Sequence, residues 1–149
     1  MAGTAQAMNT SVSRDWHRLR IGAELGLRIA LAAGFLSAVA DRLGLWGAPG
    51  TPGVAWGDWS HFLTYTGKLN WFAPAGLVPV LGLLATFAEV ALAILLLAGI
   101  KLREAALASA ALLLCFAVTM TLAGGIKGPL DYSVYTAAAA AFYLGATAR

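Results

Sequence analysis

Ala85-Thr86-Phe87-Ala88-Glu89-Val90-Ala91 lies near the middle of an apolar run from Leu77 to Ile100. A run of that length can span the hydrocarbon core of a bilayer as a helix. One carboxylate interrupts it. A charge at that depth costs roughly 2.5–3.5 kcal/mol on insertion scales. The chain must therefore bury Glu89 among other helices, neutralise it, pair it or use it. The remaining sequence is read outward from this requirement.

Three further apolar segments accompany the run. The expected spans are residues 25–45, 77–100, 105–123 and 130–146. Composition agrees with a lipid solvent. The 149 residues are 60% hydrophobic and 11% charged, and the mean hydropathy is +0.76. Soluble domains are nearer a quarter charged. The fold class expected is all-α: an integral membrane four-helix bundle with up-down topology. Residues 1–21 are expected to be a basic cytoplasmic tail, with Met1 to Ser13 disordered. Residues 22–149 then form a single membrane domain. Basic residues followed by Ala38-Val39-Ala40 resemble a secretory signal, but the helical pattern continues beyond that point, so cleavage is not expected.

The net charge of +3 is not a nucleic-acid signature, because no basic patch is interleaved with aromatics. It reads as membrane-orienting charge. Arg14, Arg18, Arg20, Arg28, Lys101, Arg103 and Arg149 fall on one side. Arg42, Lys68 and Lys127 fall on the other. The first side is expected to be cytoplasmic, with both termini inside.

In the first span, Gly22, Gly26, Ala30, Gly34 and Ala38 repeat every four residues. That spacing makes one small-residue face, expected to pack closely on a neighbouring helix and to point Asp41 inward. Glu24 and Arg28 are spaced for an ion pair. The connection over residues 46–73 is rich in turn formers and tryptophan. Within it, Asp58 is expected to cap a short interfacial helix, Trp59 to Leu69. Cys115, the one cysteine, reads as a packing residue, and no disulfide or thiolate metal site can form within the chain.

Chemistry is expected where polar groups gather on the outer half. The candidate headgroup- or substrate-binding residues are Asp41, Arg42, His61, Tyr65, Lys127, Asp131, Tyr132 and Tyr135. Glu89 is the candidate catalytic residue, as a proton relay. The alternative is structural. Arg42 and Lys127 then neutralise Asp41 and Asp131, and Glu89 is neutral or hydrogen-bonded to Tyr135, Thr119 or Thr86. His17 and His61 lie outside the spans, which argues against haem between facing helices. HExxH, GxSxG and phosphate-cradling GxxxxGK[ST] motifs are missing. A metal site is not expected, and one copy has too short a polar stripe to line a pore.

Several short strings together resemble the DoxX family of membrane proteins. They are Arg28 with Gly34-Phe35, then Ser37 through Gly47, then Trp56-Gly57-Asp58 with Phe62 and Tyr65. Glu89, Gly124 through Lys127, and Leu130 through Tyr135 complete the set. The resemblance implies a small four-helix protein of the bacterial inner membrane. Some members resemble the quinone-reducing membrane subunit of a thiosulfate:quinone oxidoreductase. On that footing the chain is expected to be a quinone- or lipid-associated membrane subunit of a redox complex. No cofactor is encoded, and quinone is the expected ligand. If there is catalysis, it is as a subunit of a quinone-linked oxidoreductase. The expected partners are the bilayer, a quinone or lipid, and a membrane or redox subunit or further copies of the chain. A non-catalytic scaffold built on the small-residue faces is the alternative, and a small transporter component the second alternative.

Overall fold

The computed structural model describes the backbone of residues 2–148 and side chains over residues 15–148. Its regular elements are all helices: α1 (Ala2–Arg42), α2 (Trp59–Leu69), α3 (Val78–Ala98), α4 (Leu102–Gly124), α5 (Lys127–Asp131) and α6 (Val134–Thr147), with one 3-10 turn at Ala75–Leu77. Backbone helix thus runs through the polar segment read as a tail. The expectation that Met1 to Ser13 is disordered falls on residues whose side chains lie outside those described.

Three helical segments are long and apolar enough to cross a membrane: Asp15–Arg42, Ala75–Ala98 and Leu102–Gly124. Only 22–28% of the residues in their most apolar windows are buried within the chain. Leu25, Ile29, Leu84, Phe87, Ile94, Leu122 and Phe142 all face outward. An exterior of that kind is compatible with a multi-pass membrane protein.

The last apolar segment departs from the single span expected over residues 130–146. Tyr132 and Ser133 separate α5 from α6, and Ser133 adopts a left-handed conformation with φ 55°. Pro129 removes a backbone donor just before the break. The 14 residues of α6 rise about 21 Å, less than the roughly 30 Å hydrocarbon thickness.

The core is small-sided. Ala105, Ala106 and Ala110 of α4 meet Ala141 and Leu144 of α6, with Leu92, Ala93 and Leu96 of α3 and Leu31, Ala32 and Phe35 of α1. Alanine at these positions lets backbones approach. Gly145 marks a close approach of α6 to α4: an added Cβ would lie 3.1 Å from the Leu107 backbone nitrogen.

Two expectations for α1 are corrected. Its buried residues are Leu31, Ala32, Phe35, Val39, Asp41 and Arg42, so Asp41 is inward as expected, but the small-residue stripe is not. A Cβ at Gly22, Gly26 or Gly34 would meet nothing within 4 Å, so that stripe is free. Larger side chains make more packing contacts with neighbouring helices, the interaction that holds helices together in lipid. Arg28 does not pair with Glu24. It donates from Nε to the Leu96 carbonyl at 2.8 Å and from Nη2 to the Leu97 carbonyl at 3.0 Å. These carbonyls close α3, where a cation meets the negative end of the helix dipole. Cys115 is exposed on α4 and not packed in the core.

Candidate functional site

The end of the molecule bearing the 46–73 connection holds the polar groups. Asp41 and Arg42 are neighbours in sequence, and successive helical residues diverge by about 100°. They therefore serve different elements. Asp41 accepts hydrogen bonds from the backbone N–H groups of Ala55, Trp56 and Gly57, at 2.8, 2.8 and 2.9 Å. One carboxylate thus satisfies three consecutive backbone donors of the connection. Gly57 has φ +72°, and a Cβ there would fall 2.4 Å from the Pro49 nitrogen. Only glycine fits, both for conformation and for space.

Arg42 points the other way, to α3. Its Nη2 lies 2.9 Å from Glu89 Oε2, and the two side chains are 2% and 4% exposed. Its Nη1 donates to Thr86 Oγ1 at 2.7 Å, and its Nε to the Ala38 carbonyl at 3.2 Å. Thr86 in turn donates to the Gly82 carbonyl. The guanidinium carbon sits 4.0 Å from the Phe62 ring centroid and 5.3 Å from that of Trp56. Those two rings meet edge to face at 5.2 Å. Arg42 therefore joins α1, α3, α2 and the connection through one planar group. A planar fork with aromatic faces beside it suits arginine and not lysine.

Glu89 is less well served. Oε2 is close enough to Nη2 for an ion pair, yet no donor among the described residues is aligned with it as a hydrogen bond. The contact is Coulombic and leaves a buried oxygen without a directed partner, an arrangement that costs free energy.

Sequence reasoning placed Glu89 in the interior and, only in its structural alternative, had Arg42 neutralise Asp41. The structure pairs Arg42 with Glu89 and gives Asp41 to the loop. Tyr135 and Thr119 do not reach Glu89. Tyr135 Oη instead bonds Thr121 Oγ1 at 2.9 Å, and Thr119 bonds carbonyls of its own helix. Thr86 belongs to the group, bridged by Arg42.

The remaining candidates lie apart from this centre. Lys127 pairs with Asp131 one turn away, at an exposed position. Asp58 caps α2 by accepting from the His61 N–H at 2.8 Å, and its carboxylate meets His61 Nδ1 at 2.9 Å. Those contacts with His61, the backbone bond first, hold the Asp58 carboxyl below its usual range. Tyr65 and Tyr132 line a half-open cleft of about 230 Å³ with Lys68, Leu69, Met120 and Pro129. Burial, and then the neighbouring Tyr132, push the Tyr65 hydroxyl up from its usual value. Trp56 and Phe62 were missed as Arg42 partners. Their signal was compositional only: aromatics following a buried arginine in a chain with few acids.

Among the described residues, no group of three His, Cys, Asp or Glu side chains is arranged to hold a metal ion. A scan against protein-family models, a search of curated proteins and a search of solved structures each return no match.

Proposed function

We propose that the chain is a DoxX-like multi-pass protein of the bacterial inner membrane. It acts as a quinone- or lipid-associated membrane subunit of a redox assembly, with Arg42 and Glu89 as its ionisable centre. In this reading α5 and α6 together make the fourth pass, α2 rests at the interface, and both termini are cytoplasmic. The observation that carries it is the buried Arg42–Glu89 pair with Oε2 lacking a directed hydrogen bond. Apolar residues of similar volume would pack that space at less cost. A carboxyl group kept at that depth is suited to relaying a proton, with Arg42 as the counter-charge of its ionised form. Quinone reduction takes up protons, which is the chemistry a bound quinone would supply. Asp41 would keep the connection closed over the centre, and Thr86 would keep Arg42 oriented.

The test is quinone occupancy of the purified protein. Glu89→Gln keeps the shape and removes the charge, and is expected to lower retained quinone several-fold. Equal occupancy in both proteins contradicts the reading.

The free stripe Gly22, Gly26 and Gly34 favours a second reading, a scaffold that packs another helix against α1. Gly26→Leu is then expected to abolish a cross-linked complex in membranes, while Glu89→Gln leaves it intact.

A further inference from the structure

We propose that the cleft between α2, the end of α4 and α5 binds the phosphodiester of an anionic phospholipid, with Lys68 as the counter-charge and Tyr65 and Tyr132 as hydroxyl donors. The proposal rests on the reading of the chain as a membrane protein and is independent of the role given to Glu89.

Charge placement is the first support. At this end of the molecule the other charged groups are committed. Arg42 meets Glu89, Lys127 meets Asp131, Asp58 meets His61, and Asp41 accepts from three loop amides. Lys68 has no acidic partner among the described residues. Its position in the last turn of α2 suits the helix dipole, which explains a cation there but not what faces it. Tyr65 and Tyr132 line the same cleft, and neither hydroxyl bonds another described residue.

Shape and surroundings are the second. Leu69, Met120, Ala123 and Pro129 make most of the wall apolar, while Gly124, Gly125 and Gly128 leave one side low. A headgroup phosphate at Lys68 would let its acyl chains leave along apolar surface. Leu122 and Leu130, exposed at 71% and 55%, lie beside this cleft in sequence, and Trp71 and Phe72 follow α2 directly at 71% and 63%. Tryptophan and tyrosine at such a level are typical of the headgroup region. A zwitterionic lipid carries a choline cation that Lys68 would repel, so the preference is for net negative charge. A neutral quinone head offers Lys68 no charge to meet.

The experiment uses the full chain in detergent with equal phosphatidylglycerol and phosphatidylcholine added, and reads bound lipid by native mass spectrometry. Wild type is expected to retain phosphatidylglycerol about fivefold over phosphatidylcholine, the scale of one lysine near an anionic lipid. Lys68→Ala is expected to remove that preference, Lys68→Arg to keep it, and Tyr132→Phe to lower retention of both lipids. Lys68 is exposed, so the variant folds, as circular dichroism checks. Equal retention of both lipids by wild type, or an unchanged preference in Lys68→Ala, overturns the proposal alone. Recovery of the chain in the soluble fraction overturns the membrane reading with it.

Discussion

Arg28 and Arg42 lie about 40° apart around α1, and both reach across to α3, but they meet different partners. Arg28 donates to the carbonyls of Leu96 and Leu97 at a partly exposed helix end. It needs no acid, because the helix terminus supplies both acceptors and a partial negative charge. Arg42 is buried and meets a full charge, Glu89, with Thr86, the Ala38 carbonyl and two aromatic rings around it. One arginine is a cap that water can replace in part. The other is 2% exposed and held away from bulk water. The comparison teaches that a helix pair can be pinned twice by the same residue type at very different risk. The buried pin is also the one with chemistry to offer.

The largest expected effect breaks the buried pin. Arg42→Met leaves Glu89 uncompensated and should destabilise the protein by about 3–5 kcal/mol, read as denaturant unfolding in detergent. Gly57→Ala tests the loop that Asp41 holds beside Arg42. Positive φ and the approach to Pro49 predict a loss of about 2–3 kcal/mol, with faster proteolysis of the connection as a local readout. Arg28→Ala removes the exposed pin, and a loss of about 1–2 kcal/mol is expected, with hydrogen exchange accelerating over Leu95 to Gly99. A loss as large as that of Arg42→Met would erase the contrast. The smallest effect concerns pH. The Asp58 carboxyl is held below its usual range by His61. Its stabilising contribution is therefore complete above the unfolded carboxyl value and disappears as pH falls through the lowered folded one. Corrected for the intrinsic pH dependence of exchange, protection of the His61 amide should fall at acid pH in wild type and stay constant with pH in Asp58→Asn.

Much of the framework was legible in the sequence. Hydropathy located the three long apolar helices, and Asp58 ahead of an amphipathic run located α2 with both of its ends. Glu89 was readable as interior because exposure to lipid would be costly. Its partner was not readable. Arg42 stands next to Asp41 in sequence, and nothing local says that the loop amides will claim Asp41 and leave Arg42 for α3. The glycine stripe on α1 misled for a related reason. Periodicity gives a face but not its direction, and the larger side chains of Leu31, Phe35 and Val39 took the inward side. The break at Ser133 had only Pro129 as a forewarning, since neither Tyr132 nor Ser133 is a usual left-handed residue.

The account turns on whether Arg42 and Glu89 act as a unit, and a double-mutant cycle measures that directly. Arg42→Met, Glu89→Leu and the double variant are compared with wild type by equilibrium unfolding in one detergent. The structure predicts that each single change is costly and that the double variant recovers most of the loss, a coupling of about 3 kcal/mol. Losses that add to within about 0.5 kcal/mol would mean that the two charges do not depend on each other, and would contradict the account.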